Sequence, residues 1–190
     1  MGGIIDGMSP YSIAEKFDVT VDEGKDIYNR FWKAAPTIKA FQSASVRKAK
    51  KLGTIYNYFG MPRRVSYWLN SDDYKQQAFG KRTVNNTIIQ SFGAELLKMA
   101  IIKTWTNIIS NPKYDGKAFF MNTIHDEINF SFDKDHILEL VQEAKKCMEV
   151  KFPNMPVPFV TGLDIGNSMG VDFPFVIEDG KLRPDWEIKE

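Results

Sequence analysis

The sequence has few of the features that mark secreted, membrane or zinc proteins. Cys147 is the one cysteine among 190 residues, which excludes an internal disulfide and a zinc site built from thiolates. No apolar run approaches the roughly 18 residues of a membrane span, and the amino terminus lacks a basic segment followed by an apolar one. We therefore expect a cytoplasmic protein with no membrane segment, in which Cys147 is a buried or half-buried structural thiol.

Neither sign of charge is in excess. Lys and Arg number 25 and Asp and Glu number 24, so the formal net charge is only +1. Any attraction to nucleic acid must therefore come from a local cluster of basic residues. What the sequence does contain is ordinary globular composition, 43% hydrophobic and 26% charged. This composition excludes a wholly disordered chain and favours one domain with a sizeable core.

Signals for the start and end of helices dominate the first part of the chain. Ser9 precedes Pro10, and Thr20 is followed three residues later by Glu23, and both patterns are typical of a helix amino terminus. A third segment with apolar residues at helical spacing ends at Gly53. This part is predicted to be helical.

A short hairpin with basic residues is predicted next. Two aromatic-rich runs flank Gly60 and Pro62, a pattern typical of two strands joined by a turn, and Arg63 and Arg64 lie near that turn. Further basic residues come just upstream, at Arg47, Lys48, Lys50 and Lys51. Such a cluster is usually solvated surface, so by itself it does not indicate a binding site.

Longer elements are predicted in the second half. Residues 75 to 109 carry apolar side chains at steps of three and four, which indicates a long helix. Residues 119 to 132 are predicted to form a β-hairpin, residues 134 to 151 an amphipathic helix, and "VPFVTGLDIG" a last strand. The tail, residues 171 to 190, is predicted to be irregular.

The long helix carries a line of polar side chains, here called the polar stripe: Arg82, Asn86 and Gln90. These residues recur at a spacing of four, so they share one face and drift by only about 40° per step. Arg, Asn and Gln are suited to contacts with phosphate, sugar and base edges. A solvated helix face is the alternative, and taken in isolation it is the more common one.

The predicted hairpin places three ionisable residues in a row at its turn, here called the acidic turn: His125, Asp126 and Glu127. Polar residues are common at turns because water solvates them, so a purely structural turn is one alternative. His-Asp is also the core dipeptide of a class of metal-dependent phosphohydrolases. That class needs several more metal-binding histidines, and this chain has only His125 and His136.

The order of these segments resembles one protein family. "GMS", "FGMPRRV", "RTVNNTIIQSFGAELLKMAI", "IHDEINFSF" and "VPFVTGLDIG" follow one another as similar segments do in the carboxy-terminal part of family A DNA polymerases, the bacterial DNA polymerase I group. The resemblance extends over nearly all of the chain before the tail. Its most specific parts are the polar stripe and the acidic turn, which occur together and in this order.

The resemblance implies a role for each candidate residue. The polar stripe would lie in the minor groove of a primer-template duplex, His125 would lie near the primer end, and Arg63 and Arg64 would add DNA contacts. Asp126 would be a metal ligand and, with Glu127 as an accessory carboxylate, would form the catalytic part of this chain. The implied cofactor is Mg²⁺, as two ions, because phosphoryl transfer of this kind needs hard oxygen ligands around two divalent ions.

The chain departs from the family pattern near its amino terminus. Gly2 and Asp6 stand where the family's fingers helix has a nucleotide-packing aromatic and a tyrosine. The triphosphate-binding Arg and Lys of that helix are absent from this sequence, and so is the motif with the other metal-binding aspartate. Because one hairpin cannot hold two ions in catalytic geometry, we expect no polymerisation by this chain alone.

The resemblance, together with these departures from it, implies the carboxy-terminal subunit of a split family A DNA-directed DNA polymerase of phage type. The expected fold is α+β: a helical fingers remnant in residues 1–70, part of an antiparallel palm sheet packed by helices in 71–170, and a tail in 171–190, incomplete without a partner chain. The partner would carry the other palm aspartate, the fingers helix and the thumb. Primer-template DNA and deoxynucleoside triphosphates would be the substrates.

Two alternatives remain open at this point. The chain could be a fragment of a longer polymerase or the product of a gene interrupted within the fingers. It could also be a non-catalytic DNA-binding accessory or structural subunit that has kept the polar stripe and lost catalysis. The retention of two acids, Asp126 and Glu127, in an otherwise apolar hairpin argues against the accessory.

Overall fold

A computed structural model gives the fold of the chain. It describes residues 2–5, 7–152, 155–168 and 170–185. Contacts within the chain separate two compact units, Met1–Gly93 and Ala94–Glu190, and each unit is described by itself. Asp6, which stands in place of the family's tyrosine, lies outside the described residues, as does the end of the tail, 186–190.

The first unit is mostly helical. Its elements are α1 (Gly2–Ile5), α2 (Pro10–Phe17), α3 (Val21–Ala34), α4 (Pro36–Leu52), β1 (Thr54–Tyr56), β2 (Pro62–Arg64), α5 (Ser66–Leu69) and the first part of α6 (Tyr74–Thr104). The predicted caps are confirmed. The Ser9 hydroxyl accepts the Ser12 backbone N–H at 3.1 Å, and Thr20 and Glu23 form a complete capping box at the start of α3.

The predicted short hairpin is confirmed only in part. β1 and β2 pair antiparallel, but the second aromatic run forms helix α5 instead of continuing the strand. The backbone N–H groups of Val65 and Ser66 both bond to the Gly53 carbonyl, which turns the chain out of the hairpin. Val65 and Leu69, four residues apart, are then both buried in the core, and that spacing is helical.

The core of the first unit joins helices to the hairpin. Its buried apolar members are Ala49, Ile55, Val65, Leu69 and Val84, which come from α4, β1, the segment before α5, α5 itself and α6. Because α6 contributes Val84 to this cluster, one face of the long helix is fixed against the unit. The opposite face is available to solvent.

The second unit combines the end of α6 with helices and two small sheets. After α6 its elements are a π-helical turn (Trp105–Ile109), a 3₁₀ turn (Pro112–Tyr114), β3 (Ala118–Ile124), β4 (Glu127–Phe132), a second 3₁₀ turn (Lys134–His136), α7 (Ile137–Met148), β5 (Asp164–Ser168), β6 (Val171–Glu178) and β7 (Lys181–Pro184). Its buried core contains Ile108, Tyr114, Ala118, Leu140 and Ala144.

Cys147 is 2% exposed on α7, and its sulfur accepts a hydrogen bond from the Asn107 side chain at 3.4 Å. The predicted buried thiol is confirmed.

The prediction for the carboxy-terminal segment is wrong in two respects. The last predicted strand, residues 157 to 166, begins only at Asp164, because its first part contains Pro158, which lacks a backbone donor. Residues 171 to 184 of the tail are not irregular, since β6 and β7 pair through a turn at Asp179 and Gly180. Both turn residues have positive φ, 49° and 71°, as expected of an Asp-Gly hairpin turn.

The predicted α+β class is confirmed by helices together with antiparallel sheets of two, two and three strands in the described part of the chain. The assignment of residues 1–70 and 71–170 to fingers and palm stays a prediction. Within the described ranges, none of the helices combines the length and the apolar character needed to cross a bilayer.

Candidate functional site

The polar stripe lies on a regular helix, as its spacing predicts. Arg82 and Gln90 are exposed and Asn86 is half-buried, so the stripe follows one side of α6. The residues beside it point into the unit: Thr83 is 8% exposed and Val84 0%. The geometry predicted from the sequence is therefore confirmed, whereas contact with DNA stays a prediction.

A glycine lets α6 approach the neighbouring short helix. A Cβ atom added at Gly80 would lie 2.8 Å from the Trp68 Cβ and 3.0 Å from the Leu69 Cδ2. Both distances are too short for an ordinary contact, so any side chain at this position would push α6 away from α5. Gly80 thus allows the close packing of α6 against α5 just before the polar stripe begins.

Arg82 also lies against a residue of the "GMS" segment, a contact that sequence reasoning missed. Gly7 has φ +103°, and a Cβ atom added there would lie 2.6 Å from the Arg82 Cδ and 2.7 Å from its Cγ. The aliphatic stem of Arg82 therefore lies against the backbone of Gly7, which has room for it only because glycine has no side chain. The "GMS" segment contains this glycine, but nothing local in the sequence links it to a residue 75 positions later.

The acidic turn lies at the end of the hairpin formed by β3 and β4. Ile124 pairs with Glu127, so His125 and Asp126 form a two-residue turn. The predicted hairpin and turn position are confirmed, and all three side chains of the acidic turn are exposed. His125 has φ 54°, in the left-handed region that glycine and asparagine adopt more readily than histidine does.

The residues of the acidic turn fit one magnesium ion in their chemistry, but they do not supply enough ligands for two. Asp126 and Glu127 supply hard carboxylate oxygens, and Mg²⁺ is commonly held by one or two carboxylates together with water and phosphate oxygens. Across the described residues, no three His, Cys, Asp or Glu side chains come close enough to hold a metal ion. Asp126 and Glu127 are therefore at most part of a site for two ions.

The strand before the acidic turn exposes apolar side chains. Phe119, Met121 and Ile124 of β3 are 55%, 57% and 41% exposed. The register of the hairpin shifts between Phe120 and Asn122, which is the effect of a β-bulge. Large apolar side chains in this number on one short strand are unusual for a surface that faces only water.

Arg63 and Arg64 lie on strand β2 and not at the turn itself. They pair with Ile55 and Thr54 across the hairpin, and both side chains are exposed. Successive residues of a strand point to opposite faces. The two arginines therefore do not form a single bidentate site.

The second unit also contains an ionic cluster that the sequence did not reveal. Glu139 accepts hydrogen bonds from the Lys113 ammonium group and from the Tyr114 hydroxyl, the latter at 2.9 Å. These hydrogen bonds, the one from Lys113 first, lower the pKa of the Glu139 carboxyl below its ordinary value. Tyr114 is a core residue, so the cluster anchors α7 and has no evident role in chemistry.

Comparison with known proteins relates these sites to one family. A family model described as DNA polymerase family A matches residues 2–171. The DNA polymerase I of Borreliella burgdorferi is 28% identical over 171 residues, which are 88% of this chain and 18% of that protein. The DNA polymerase I of Bacillus subtilis is 27% identical over 147 residues, 77% of this chain and 16% of that protein. The chain thus spans less than a fifth of these curated relatives.

The fold also has a match among solved structures. The POL domain of Pol1 from M. smegmatis, solved in complex with DNA primer-template and dNTP, superposes with a TM-score of 0.72. The two chains are 23% identical, and the match covers 83% of this chain and 27% of the other. At this level of identity the likeness shows a shared fold.

Proposed function

This chain belongs to DNA polymerase family A, and on that premise we propose that it is the carboxy-terminal subunit of a split DNA-directed DNA polymerase. One observation carries the proposal. The residues that the family model matches include both the polar stripe, on a regular helix, and the acidic turn, on a hairpin. The polar stripe suits binding to a duplex, and the acidic turn suits phosphoryl transfer.

The polar stripe is proposed to bind the minor groove of the primer-template duplex. Arg82 and Gln90 are exposed on the same side of α6, and Arg and Gln side chains are suited to contacts with phosphate, sugar and base edges. Arg63 and Arg64 are proposed as further DNA contacts, and His125 as a neighbour of the primer end. The relative solved with primer-template and dNTP supports the choice of substrates, deoxynucleoside triphosphates included.

The acidic turn is proposed to contribute to the catalytic centre. Asp126 would be the metal ligand supplied by this chain, and Glu127 an accessory carboxylate that tunes the site. Mg²⁺, when bound, supplies charge neutralisation on the triphosphate and lowers the pKa of the primer hydroxyl. The hairpin holds the Asp126 carboxylate in place, since the strands on both sides of the turn are paired.

A partner chain is proposed to complete the site. Two adjacent carboxylates are too few for two ions, and the exposed Phe119, Met121 and Ile124 of β3 offer an apolar surface for such a chain. The partner would supply the other palm aspartate, the triphosphate-binding fingers helix and the thumb. A longer polypeptide that contains these same parts is the alternative, and a phage source and a cytoplasmic location stay predictions.

The test is to express the chain with an affinity tag from its own promoter in its native source, and then to purify it together with the proteins bound to it. We expect a second chain with the missing motifs to copurify, and we expect single-turnover nucleotide incorporation with Mg²⁺ on a primed template from the complex but not from the isolated chain. Primer extension by the isolated chain would refute the dependence on a partner.

Two other outcomes separate the parts of the proposal. Capture of a longer polypeptide that contains this sequence and extends primers would overturn the split and leave the polymerase role in place. If the complex binds primer-template but does not incorporate nucleotides, the chain is a non-catalytic accessory and not a polymerase subunit.

A further inference from the structure

Three polar side chains of the second unit form a chain of hydrogen bonds at the base of the β3–β4 hairpin, at the end away from the acidic turn. The Asp133 carboxylate bonds to His136 Nδ1 at 2.8 Å, and His136 Nε2 lies 3.1 Å from Lys117 Nζ. This chain of Asp133, His136 and Lys117 is here called the histidine relay. The polymerase role proposed for this protein uses none of its members.

Backbone hydrogen bonds hold the residues of the histidine relay together. The Lys117 carbonyl accepts the Asp133 N–H at 2.7 Å, which extends the hairpin by one bond beyond the paired strands. The Asp133 carbonyl accepts the His136 N–H at 3.2 Å. His136 is therefore tied to Asp133 twice, once through its backbone and once through its ring, and Asp133 is tied to Lys117.

The hydrogen bond to Asp133 determines which ring nitrogen of His136 can accept a proton. An ionised carboxylate only accepts hydrogen bonds, so the neutral imidazole carries its proton on Nδ1 and has a lone pair on Nε2. That lone pair faces the ammonium group of Lys117, which only donates. The hydrogen bond from His136 also lowers the pKa of the Asp133 carboxyl, so this carboxylate is ionised at neutral pH. His136 Nε2 is thus placed to take a proton from Lys117.

Lys117 differs in this respect from other hydrogen-bonded lysines of the second unit. Lys98 and Lys113 donate to the carboxylates of Glu95 and Glu139. Such a bond stabilises the ammonium form, which is not a nucleophile, and the bond to Glu139 raises the pKa of Lys113. The side-chain partner of Lys117 is instead an imidazole, a base that can accept a proton and contributes no negative charge.

The order of groups in the histidine relay is that of an activated nucleophile. In such sites a base lies within hydrogen-bond reach of the nucleophile, and a third group orients the base. His136 is the base here and Asp133 orients it, so the nucleophile is the amine of Lys117. Lys117 is half-buried, which favours a small electrophile. An amine beside a general base suits attack on the carbonyl carbon of an activated acyl group.

We propose that Lys117 is a site of covalent acylation by a small activated acyl donor, an acyl phosphate or an acyl thioester, with His136 as the general base. Once the ammonium group has released one proton to water, the amine attacks the carbonyl carbon of the donor. An N–C bond forms, and the bond from that carbon to the phosphate oxygen or the thiol sulfur breaks. His136 Nε2 takes the second proton of Lys117 and passes it to water, and the phosphate or thiolate leaves with the electron pair.

The product of this reaction is an uncharged amide at Lys117. The reaction needs neither DNA nor a partner chain. The inference therefore goes beyond the proposed function and does not depend on it.

The test measures the acylation rates of individual lysines in the full 190-residue chain by quantitative mass spectrometry. One arm supplies acetyl phosphate and the other supplies acetyl coenzyme A, so the arms distinguish the two kinds of donor. Lys103 and Lys134 are exposed lysines of the same unit and serve as internal references. We expect Lys117 to react about a hundredfold faster than these references in at least one arm, which is the lower end of the usual gain from a general base.

His136→Gln separates general-base action from a merely structural contact. Glutamine can accept a hydrogen bond from Lys117 but cannot take up a proton at neutral pH. This variant should lower the Lys117 rate to that of Lys103 and Lys134. The ratio of rates within the parent chain needs no variant, so it decides the question even if His136→Gln does not fold.

Asp133→Asn tests the positioning of the imidazole. An asparagine amide can donate to Nδ1 and so favour the other tautomer, and the Lys117 rate should fall by at least about tenfold. The ¹⁵N chemical shifts of the His136 ring report the tautomer directly and should change with the rate. Asp135→Asn is the matched control, because Asp135 contacts the histidine relay through its backbone N–H. That variant removes a charge from the same turn and should leave the Lys117 rate unchanged.

Two results would overturn the inference: equal rates at Lys117, Lys103 and Lys134 in both arms, or a parental Lys117 rate in His136→Gln. A fast rate at Lys117 in one arm only supports the inference and identifies the kind of donor that the site accepts. Fast rates in both arms support it for both kinds of donor.

Discussion

The two candidate sites are held in opposite ways. In the first unit, the polar stripe lies on a regular helix, and the Arg82 stem is accommodated by the bare backbone of Gly7. In the second unit, the acidic turn is a two-residue connection in which His125 has φ 54°. A helix places its side chains by its period, whereas a turn depends on the conformation of one or two residues. We therefore expect substitutions in the first unit to change DNA affinity, and those in the second to change chemistry or local stability.

The largest effect is expected at Asp126. In the proposed complex of this chain with its partner, Asp126→Asn keeps the size of the side chain but removes its charge. Single-turnover incorporation should fall by about a thousandfold, or about 4 kcal/mol of transition-state stabilisation, while primer-template affinity stays nearly unchanged. Glu127→Gln should cost less. Asp115→Asn, at another exposed aspartate of the same unit, is the matched control, and near-parental rates in Asp126→Asn would remove the acidic turn from the catalytic centre.

A purely binding effect is expected from Arg82→Ala. Loss of a phosphate contact should weaken primer-template binding and lower the slope of log affinity against log salt by roughly one unit. Asn86→Ala and Gln90→Ala should weaken binding without changing this slope, because their side chains carry no charge. Titrations at several salt concentrations measure both quantities. Parental affinity in all three variants would mean that the polar stripe is only a solvated helix face.

Gly7→Ala tests whether the Arg82 stem is positioned by the backbone beneath it. The new Cβ would lie 2.6 Å from the Arg82 Cδ, so Arg82 must move, and primer-template affinity should fall severalfold. Gly60→Ala is the matched control, because Gly60 also has positive φ, 81°, but has nothing within 4 Å of an added Cβ. Both variants should lose about 1 kcal/mol of stability from backbone strain. Equal DNA affinities in the two variants would show that Gly7 does not position Arg82.

A stability effect is expected at His125. A β-branched residue tolerates the left-handed region poorly, so His125→Val should lower the free energy of unfolding by about 1 kcal/mol. Asparagine adopts this region readily, and His125→Asn should leave stability nearly unchanged or slightly raised. Urea denaturation of the two variants measures the difference. If valine and asparagine gave the same stability, the turn would not depend on the backbone conformation of His125.

The smallest effect is expected from the pH dependence of the Glu139 cluster. The hydrogen bonds from Lys113 and Tyr114 hold the pKa of Glu139 below its ordinary value. Their stabilisation is therefore present above the unfolded-state pKa of about 4.3 and is lost as the pH falls through the lower folded-state pKa. The thermal midpoint of the parent chain should fall more steeply below about pH 4 than that of Glu139→Gln. Parallel curves for the two proteins would show that the ionised carboxylate adds nothing to stability.

Local features were predictable from the sequence, and distant contacts were not. The capping residues Ser9 and Thr20, the long helix and the turn of the β3–β4 hairpin all follow from short-range patterns. The change from strand to helix at Val65 was missed because it depends on hydrogen bonds to the Gly53 carbonyl. The turn at Asp179 and Gly180 does have a local signal, because an Asp-Gly pair is typical of a two-residue hairpin turn.

The candidate site residues show the same difference between local patterns and distant contacts. Periodicity alone placed Arg82, Asn86 and Gln90 on one face, which the structure confirms. The roles of these residues, and that of Asp126, come from the family resemblance and stay predictions, because spacing does not specify a ligand. The contact between Gly7 and Arg82 could not be predicted, since only the folded chain brings the two residues together.

The buried thiol of Cys147 also makes the chain suited to site-specific labelling. It is the only cysteine in the sequence and is 2% exposed, so a maleimide should react slowly with the folded protein. A cysteine introduced at an exposed position would then be the single fast-reacting handle, with no need to remove the native one. A dye attached in this way would report changes around its own position when the chain is titrated with primer-template DNA.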